Sequence, residues 1–425
     1  MIEYETSKYI GELKVPASKS YMQRILAMAA LSLGETVIKN YSLCDDTENA
    51  IEIIKSLGSE VKITDKFIKV KSNYPEVWNN VIKVGESGLA TRLFAPILAL
   101  YDKEFNIEGE GSILKRPQAM LIDSLRKLGV EVESNDGFLP LKLKGPIKEK
   151  KIEIDGSISS QHLTGLLIAL PMLEFDTEII VNTLASKPYI DITLELIKLF
   201  GIEIENIDYN RFIIKGGQEY KATEISVESD WSNAAFHLVG GAIAGEVCLS
   251  NLDIHSNQGD RRIVDILISA GANVEIDKNN ISVKKSDLKG FDYDATDTPD
   301  LFPPLVVLAM NCSGISKIHG VKRLLYKESN RALVLKEEFA KMGVDIEIGD
   351  DEMIINGKND ESVEKNSKNE ISVNSHNDHR IVMALAIASL TSKYKIIIND
   401  ASAVNKSYPT FFRDFYKLKQ GNSDE

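Results

Sequence analysis

The chain has 425 residues, of which 43% are hydrophobic and 27% are charged, and its net charge is −13. This composition is typical of a globular protein of enzyme size, and the length predicts two domains of roughly 200 residues each. No apolar run reaches about 18 residues and the first residues show no signal-peptide pattern, so we expect neither a membrane span nor secretion. The acidic balance argues against a nucleic-acid partner.

The cysteines Cys44, Cys248 and Cys312 do not have the spacing of metal ligands. Few cysteines and no paired pattern fit a reducing compartment, so we expect a cytoplasmic protein. Cys248 lies in an apolar predicted strand and Cys312 at the end of an apolar predicted helix, which favours buried structural thiols.

The first part of the chain shows a unit that recurs. An apolar helix over 19–33 is followed by a strand over 36–40, an amphipathic helix over 46–57 and strands over 60–63 and 67–70. The second helix has apolar residues at helical spacing, and the strands alternate apolar and polar residues. The same order of elements repeats down the chain.

A glycine ends the second helix of each unit, which is a typical left-handed helix stop. These glycines lie roughly 71 residues apart, at Gly58, Gly129, Gly201, Gly271 and Gly343. A weaker sixth helix over 408–420 ends at Gly421 without a following strand. The strand-like segments 2–5 and 9–15 are expected to supply the missing pieces. The sequence therefore predicts an α/β fold of six repeated β-α-β-α-β-β units closed on itself.

Basic residues stand at the starts of many predicted helices, where they oppose the helix dipole. Lys19, His379 and Arg380 start first helices. Second helices start with Lys115-Arg116, Lys187, Arg261-Arg262, Lys327 to Arg331, and Lys406. Such cations are unfavourable unless an anion lies between them and the exposed backbone N–H groups, which themselves bind anions. The pattern predicts a ligand with more than one phosphate or carboxylate.

Lys327 and Arg331 are like charges four residues apart, which predicts that they share one helix face. Glu328 lies between them, so a surface salt-bridge network is the alternative interpretation. The Ser, Thr, Asp and Asn residues at the first-helix starts can likewise be ordinary N-caps. Because five second-helix starts carry cations, a shared cleft for an anionic ligand is favoured.

Colinear motifs along the chain resemble those of the 5-enolpyruvylshikimate-3-phosphate synthases. The segment 17–24, Ala-Ser-Lys-Ser-Tyr-Met-Gln-Arg, resembles the family's Gly-Ser-Lys-Ser-x-x-Asn-Arg opening. The others are Asp-Gly-Ser-Ile-Ser-Ser-Gln at 155–161, Ser-Lys-Pro-Tyr-Ile-Asp-Ile-Thr at 186–193, Lys-Glu-Ser-Asn-Arg at 327–331, Asn-Asp-His-Arg at 377–380 and Asn-Lys-Ser-Tyr-Pro at 405–409.

This resemblance implies a two-domain inside-out α/β barrel with three units per domain, helices inside and sheets outside. One domain would span 17–227 and the other 1–16 with 228–425, with the active site in the interdomain cleft. The implied reaction transfers the enolpyruvyl group of phosphoenolpyruvate to the 5-hydroxyl of shikimate 3-phosphate and releases phosphate, through a tetrahedral intermediate. It needs no metal and no cofactor, and we expect a monomer acting on small molecules, without nucleic acid or membrane.

The resemblance also implies which residues form the site. Asp300, whose other interpretation is an N-cap, would accept the hydroxyl proton, while Glu328 and Lys19 would serve proton transfer at the methylene carbon. The phosphoenolpyruvate-binding positions are Lys19, Gly88, Arg116, Gln161, Arg331, Arg380 and Lys406. The shikimate-3-phosphate-binding positions are Lys19, Ser20, Arg24, Ser159, Ser160, Gln161, Ser186, Tyr189, Asp300 and Lys327.

Some positions depart from the family pattern. Glu-Ser-Gly-Leu at 86–89 replaces the usual Asn-Ala-Gly-Thr, Arg323 stands where many members have Asn, and Asn330 replaces a common Asp. A carboxylate at Glu86 would oppose a bound phosphate unless it pairs with a cation such as Arg92.

Two alternatives remain open. The sister enolpyruvyl transferase that acts on UDP-N-acetylglucosamine would carry Lys-Asn in place of Lys19-Ser20 and usually a reactive cysteine in a mobile loop. A non-catalytic anion-binding protein of the same fold is the other, and the presence of Asp300, Glu328 and Lys19 argues against it.

Overall fold

The computed structural model describes residues 8–357 and 370–419. The helices, in chain order, are α1 Lys19–Leu31, α2 Asp45–Ser56, α3 Gly88–Leu98, α4 Ala119–Lys127, α5 Gln161–Ala169, α6 Lys187–Leu199, α7 Trp231–Ala244, α8 Ile263–Ser269, α9 Phe302–Met310, α10 Arg331–Ala340, α11 His379–Ala388 and α12 Phe411–Lys419. Within the described ranges, no helix combines the length and the apolar character that crossing a bilayer requires.

The strands are β1 Tyr9–Lys14, β2 Glu35–Lys39, β3 Glu60–Ile63, β4 Phe67–Lys71, β5 Val81–Lys83, β6 Glu104–Glu108, β7 Glu131–Asn135, β8 Phe138–Lys144, β9 Lys151–Gly156, β10 Thr177–Leu184, β11 Ile204–Ile207, β12 Arg211–Ile214, β13 Glu224–Ser226, β14 Gly245–Ser250, β15 Asn273–Asp277, β16 Asn280–Lys284, β17 Asp292–Asp294, β18 Ile315–His319, β19 Asp345–Ile348, β20 Glu352–Asn356, β21 Glu370–Asn374 and β22 Lys395–Asn399. Helices and strands alternate as predicted, which confirms the α/β class.

The chain divides into two compact units. We call Ala17–Glu228 the inserted unit, and Met1–Pro16 with Ser229–Glu425 the terminal unit. Each repeat within a unit forms its own small sheet. The sheet orders are β13-β2-β4-β3, β5-β6-β8-β7 and β9-β10-β12-β11 in the inserted unit, and β1-β14-β16-β15, β17-β18-β20-β19 and β21-β22 in the terminal unit. Among the described strands no sheet closes into a barrel, so the predicted inside-out barrel consists of separate sheets outside a helical core.

The first helix of each repeat is buried on all sides. In α1, every residue from Tyr21 to Leu31 is buried. Helices α1, α3 and α5 form the centre of the inserted unit, and α7, α9 and α11 pack on one another in the terminal unit. The strands alternate instead: in β2 the side chains of Thr36 and Ile38 are buried, while those of Glu35 and Lys39 are exposed. This is the pattern of helices inside and sheets outside.

The repeat glycines have the predicted conformation. Their φ angles are positive in all five copies, at Gly58, Gly129, Gly201, Gly271 and Gly343. At the first of these, a Cβ would also come within 2.9 Å of the backbone oxygen of Glu76. The predicted sixth stop at Gly421 and the strand over 2–5 lie outside the described residues. Helix α12 begins at Phe411, later than predicted, because Pro409 disfavours helical geometry at the residue before it.

Strands β1 and β13 are exchanged between repeats. The strand β1 precedes α1 in sequence, yet it pairs in parallel with β14 of the fourth repeat. The strand β13 precedes α7, yet it pairs in parallel with β2 of the first repeat. The expectation that segment 9–15 completes the sixth repeat is therefore wrong for its strand pairing. It supplies the leading strand of the fourth repeat, because β13 is used by the first.

Candidate active site

The predicted site residues fall into two clusters, one in each unit. The inserted unit holds Lys19, Ser20, Arg24, Gly88, Arg116, Ser159, Ser160, Gln161, Ser186 and Tyr189. The terminal unit holds Asp300, Lys327, Glu328, Arg331, Arg380 and Lys406.

Three basic side chains converge on Asp300 in the terminal unit. This residue lies in the 3₁₀ turn Pro299–Leu301 ahead of α9. Its Oδ1 is 2.9 Å from Arg331 Nη1 and 3.4 Å from Lys327 Nζ, and its Oδ2 is 3.1 Å from Arg380 Nη2. Burial favours the neutral acid, but the charges of Arg380, Lys327 and Arg331 outweigh it and hold the pKa of Asp300 well below its usual value.

Arg331 is fully buried and joins three carboxylates. Besides Asp300, its Nη2 is 2.7 Å from Glu328 Oε2 and its Nε is 3.0 Å from Asp378 Oδ2. Burial alone would lower the pKa of Arg331, but the charges of Asp378, Glu328 and Asp300 raise it above the usual value. The planar guanidinium therefore fixes these carboxylates relative to one another.

Asp378 is a site residue that the sequence showed only as part of a motif. It is the N-cap of α11, and its side chain accepts a hydrogen bond from the backbone N–H of Arg380 at 3.0 Å. The first turn of this helix carries His379 and Arg380, as predicted. Because Asp378 also binds Arg331, one carboxylate orients two of the basic residues.

Lys327 is not part of a helix. Helix α10 begins at Arg331, with Asn330 as its N-cap accepting from the N–H of Leu333 at 3.4 Å. The prediction that Lys327 and Arg331 share a helix face is therefore wrong. Both cations contact the Asp300 carboxylate, which lies between them. The predicted alternative of a salt-bridge network is therefore present, and it is partly buried. Burial lowers the pKa of Lys327 although the charge of Asp300 opposes this.

Other predicted helix starts also differ. Arg116 directly follows the 3₁₀ turn Gly111–Lys115 and Lys406 ends the turn Ala401–Lys406, so both precede their helix. Lys406 Nζ donates to the backbone oxygen of Asn377 at 2.7 Å. In both cases a short 3₁₀ turn positions the cation ahead of the helix.

The pair Arg261 and Arg262 does not behave as predicted. Both lie in the 3₁₀ turn Gly259–Arg262 rather than in a first helical turn. Arg261 Nε donates to the backbone oxygen of Ser256 at 2.9 Å, and Arg262 is exposed at 3.7 Å from Asp265. The side chain of this segment that turns inward is that of Asp260.

Arg24 organises the cluster of the inserted unit. It is 1% exposed, because α1 is buried on all sides. Its five N–H groups are directed to neutral oxygens, those of the Thr193 hydroxyl at 2.9 Å, the Ser20 hydroxyl at 2.6 Å, the Ser20 carbonyl at 2.9 Å, the Thr164 hydroxyl at 3.4 Å and the Tyr189 carbonyl at 3.3 Å. Burial lowers the pKa of Arg24 to about 10, still far above neutral pH. Its N–H groups are hydrogen-bonded, but these neutral partners do not cancel its positive charge.

Lys19 is the first residue of α1, as predicted. Its Nζ is 2.8 Å from Oδ2 of Asp46 on α2, and both side chains are mostly buried. The sequence showed Asp46 only as a helix-start residue. The ion pair restricts the ammonium group to one side of the helix start.

Gly88 lets a guanidinium lie against the start of α3. A Cβ at this position would come within 2.5 Å of Arg116 Nη1. The backbone N–H groups of a helix start bind anions, so the Arg116 guanidinium and the start of α3 together suit a phosphate or carboxylate.

Arg92 connects this region to Gln161. Its Nη1 donates to Gln161 Oε1 at 2.9 Å, and its Nη2 donates to the carbonyl of Pro117 at 3.1 Å. Sequence reasoning considered Arg92 only as a partner of Glu86. Its position in the middle of an apolar, buried helix indicates a specific role, because a basic residue buried there must have hydrogen-bond partners.

Glu86 stabilises the turn that carries Arg116. Its Oε2 accepts a hydrogen bond from the backbone N–H of Ser112 at 2.6 Å. Gly111 has a φ of +57°, and a Cβ there would come within 2.3 Å of the Glu86 carboxyl carbon. The departure at position 86 is therefore accommodated by a glycine that permits the close approach.

The serine residues lie around the starts of α5 and α6. Ser159 Oγ accepts from the N–H of Gln161 at 3.3 Å, and Ser160 Oγ donates to the carbonyl of Ser186 at 3.5 Å. Ser186 is buried and has a φ of +61°, a left-handed conformation that costs about 1–3 kcal/mol in a non-glycine residue. Such conformations concentrate at functional sites.

One group of possible metal ligands lies elsewhere on the terminal unit, formed by Glu337, Glu338 and His376. Glu338 already accepts from His376 Nε2 at 2.8 Å, from Lys341 Nζ at 2.6 Å and from the N–H of Asn374 at 2.8 Å. These contacts account for the burial of Glu338 and make the group a hydrogen-bonded network.

The chain matches the family model for EPSP synthase (3-phosphoshikimate 1-carboxyvinyltransferase) over residues 4–415. The 3-phosphoshikimate 1-carboxyvinyltransferase of Clostridium novyi (strain NT) is 37% identical over 423 residues, covering 97% of this chain and 96% of the relative. The enzyme of the same name from Clostridium perfringens (strain 13 / Type A) is 38% identical over 416 residues, with the same coverage.

Two solved structures share the fold. EPSP synthase from Acinetobacter baumannii has a TM-score of 0.79 at 25% identity, covering 97% of this chain and 96% of that one. The enolpyruvyl transferase NikO from Streptomyces tendae has a TM-score of 0.78 at 15% identity, with 97% and 95% coverage, and shows the fold alone. The fold is thus one that enolpyruvyl transferases have. The chain belongs to the EPSP synthase family, as the motifs indicated.

Proposed function

We propose that this chain transfers the enolpyruvyl group of phosphoenolpyruvate to the 5-hydroxyl of shikimate 3-phosphate and releases phosphate. The observation that carries the proposal is the family match over residues 4–415. The cation-rich clusters support it, because both substrates carry a phosphate and a carboxylate. No observation favours UDP-N-acetylglucosamine as the acceptor, and burial raises the pKa of the Cys44 thiol to about 11, which makes it unreactive.

The first chemical step is an addition. The 5-hydroxyl oxygen attacks C2 of phosphoenolpyruvate while Asp300 accepts the hydroxyl proton. Glu328 must first take up a proton, which it then delivers to C3 and takes back in the elimination. The resulting tetrahedral intermediate then loses a proton from C3 and phosphate from C2, which restores the carbon–carbon double bond. Arg331 supports both carboxylates, since its guanidinium contacts Asp300 at 2.9 Å and Glu328 at 2.7 Å. General acid–base groups of this kind contribute about 10²–10⁴-fold each.

The remaining residues would hold the substrates. We assign phosphoenolpyruvate to the positions Lys19, Gly88, Arg116, Gln161, Arg331, Arg380 and Lys406. We assign shikimate 3-phosphate to Lys19, Ser20, Arg24, Ser159, Ser160, Gln161, Ser186, Tyr189, Asp300 and Lys327. Arg24 acts on its ligand largely through its uncancelled charge and by positioning Ser20 and Tyr189, because its N–H groups are used within the protein.

The cations around Asp300 make its basicity dependent on ligands. While Lys327, Arg331 and Arg380 all contact Asp300, its pKa is low and it is a weak base. An anionic substrate that draws these cations towards itself weakens their hold on the carboxylate, so the pKa of Asp300 rises. The base therefore becomes effective when the substrates are bound.

The reaction requires both clusters to act on one pair of substrates. The interdomain cleft that the family resemblance implies stays a prediction, as do a monomeric state and a cytoplasmic location. Light scattering coupled to gel filtration tests the monomeric state, for which we expect a mass near 47.2 kDa.

Phosphate release tests the proposed function. We expect release with phosphoenolpyruvate and shikimate 3-phosphate, its absence with UDP-N-acetylglucosamine, and its near-complete loss in Asp300→Ala. Asp265→Asn is the matched control, since this exposed aspartate of the same unit pairs only loosely with Arg262 at 3.7 Å. Release with the nucleotide sugar alone would overturn the acceptor. No release with either acceptor would favour a binding protein.

A further inference from the structure

Asp260 is a buried carboxyl group near the Asp300 cluster that has no part in the reaction proposed above. It lies in the 3₁₀ turn Gly259–Arg262 and is 2% exposed. This turn packs against α7, and α7 also contacts the turn that carries Asp300 and the helix α11, whose first turn contains Arg380. The position is surprising in sequence terms, because Arg261 and Arg262, the neighbours predicted to bind an anion, point elsewhere.

The carboxyl group of Asp260 has few partners. The Ser232 hydroxyl donates to its Oδ2. In the described part of the chain, no donor reaches its Oδ1, although that atom is shielded from solvent. An ionised carboxylate with a buried, unpaired oxygen is costly, whereas the protonated acid is much less so. The geometry therefore favours a proton on Asp260.

The surrounding charges act in the same direction on balance. Burial is the largest cause and the charges of Asp300 and Asp230 act in the same direction, so the pKa of Asp260 rises to about 7. Arg380 and the Ser232 hydrogen bond oppose this rise. Tyr293, on β17, also faces the group, and its hydroxyl pairs with Thr298 at 2.8 Å.

The ionisation of Asp260 would unbalance the neighbouring network. The ion pairs there join three carboxylates to three cations, namely Asp300, Glu328 and Asp378 with Lys327, Arg331 and Arg380. A proton on Asp260 leaves these ion pairs undisturbed. Its loss adds a negative charge that acts on Arg380, which would weaken the attraction of Arg380 for a bound phosphate or carboxylate.

We propose that Asp260 is a positioning residue: its protonated form leaves Arg380 able to bind an anionic substrate, and its ionisation weakens that binding. The proposal rests on the proposed function, in which Arg380 contacts phosphoenolpyruvate. Asp260 touches neither substrate and acts through Arg380 and Asp300.

The pH profile of phosphate release tests this role. We expect the KM for phosphoenolpyruvate to rise between pH 6 and pH 8.5 by roughly five- to tenfold more in the wild type than in Asp260→Asn, since only the wild type gains a charge. The titration of the substrate itself affects both proteins and cancels in the ratio. The kcat of Asp260→Asn at pH 6 should stay within a few-fold of wild type. Parallel KM curves would overturn the proposal, and Asp265→Asn should follow the wild type.

Ser232→Ala provides a second variant that keeps the carboxyl group. Removing the hydroxyl takes away a hydrogen bond that favours the ionised form, so the rise in KM should move to higher pH. A rise at unchanged or lower pH would contradict the role assigned to Asp260.

Thermal unfolding tests the ionisation without relying on turnover. The folded-state pKa of Asp260 lies above its unfolded value, so the folded protein binds the proton more tightly and loses stability as pH rises from about 4 through 7. Relative to the wild type, Asp260→Asn should therefore gain a few degrees in Tm at pH 8 compared with pH 5. An equal difference at both pH values overturns the proposal. If phosphate release is absent in the wild type while this Tm signature is present, it is the proposed function that has failed.

Discussion

The two clusters hold their buried arginines in opposite ways. Arg331 in the terminal unit directs its guanidinium to carboxylates, with Asp300, Glu328 and Asp378 all within 3.0 Å. Arg24 in the inserted unit directs its guanidinium to hydroxyl and carbonyl oxygens. Both side chains are hydrogen-bonded, but only Arg331 is neutralised. Neutral partners satisfy the donors of a cation and leave its charge to act on a ligand, even though burial makes such a charge expensive.

This difference suggests a division of labour. The inserted unit keeps a positive charge ready for an anion, so it is suited to binding. In the terminal unit the carboxylates pair with cations, and we propose that a bound anion rearranges these pairs and thereby raises the basicity of Asp300.

The largest effect is expected on turnover, from Asp300→Asn. Asparagine keeps the size of the side chain but cannot accept the proton, so kcat should fall by about 10²–10⁴-fold. Arg24→Lys should instead raise the KM for shikimate 3-phosphate. An ammonium group has fewer N–H donors than a guanidinium group, so Lys cannot hold both Ser20 and Tyr189. Steady-state phosphate release measures both. Equal losses of kcat in the two variants, with unchanged KM, would refute the division.

Stability should separate the two arginines through pH. Arg331→Met removes the buried guanidinium that three carboxylates share and should cost about 3–5 kcal/mol near neutral pH. Arg331 is one of three cations that hold the pKa of Asp300 well below its usual value. In the variant this folded-state pKa rises, so the loss grows as pH rises through the raised pKa. Arg24→Met leaves only neutral oxygens unsatisfied, so its cost should not change between pH 5.5 and 8.

Urea unfolding at those two pH values measures the free energies of unfolding. A pH slope for Arg24→Met as steep as that for Arg331→Met would show that a carboxylate contributes to the environment of Arg24.

Gly88→Ala should weaken phosphoenolpyruvate binding within the inserted unit. The added Cβ would displace the Arg116 guanidinium, which lies 2.5 Å from it, and a shift of this size should raise the KM about 10- to 100-fold. The effect should largely disappear when Gly88→Ala is made in an Arg116→Ala background, because the displaced group is then absent. Additive effects in this double-mutant cycle would place the consequence of Gly88→Ala elsewhere.

The smallest effect is expected at Glu86. Glu86→Ala removes a charged acceptor from the Ser112 N–H and should cost about 1–3 kcal/mol in the free energy of unfolding, whereas Glu86→Gln retains an acceptor and should cost less. Removing the negative charge in Glu86→Gln should also lower the KM for phosphoenolpyruvate slightly. A raised KM with unchanged stability would mean that the carboxylate itself serves the ligand.

Local constraints explain what the sequence revealed. The repeat followed from glycines that must adopt positive φ, and the buried helices followed from apolar residues on every face. The exchange of β1 and β13 was not visible, because short strands carry little information about which distant strand they join. Family motifs marked Arg24 and Arg331, but the identity of their partners depends on tertiary contacts.

The structure differs from the predictions at two helix starts, and in the first case a local sequence signal explains the difference. Asn330 is a good N-cap, and weighing it above the charges would have started α10 at Arg331 and left Lys327 in the loop. In the segment 260–262, charge alone suggested that the arginines face the site. In the structure Asp260 is buried instead. Its burial depends on packing against α7, which no local sequence pattern encodes.

The exchange of β1 and β13 also brings residues 16–18 next to residues 228–230, where the chain passes from one unit to the other. In the inserted unit, the N–H of Ser18 donates to the carbonyl of Glu228 at 2.7 Å, and in the terminal unit the N–H of Asp230 donates to the carbonyl of Pro16 at 2.9 Å. Each unit thus closes on itself at the point where the chain passes to the other. A gene that joined Pro16 directly to Ser229 would preserve the described strand pairings of the terminal unit. The architecture is therefore that of one module inserted into another between Pro16 and Ser229.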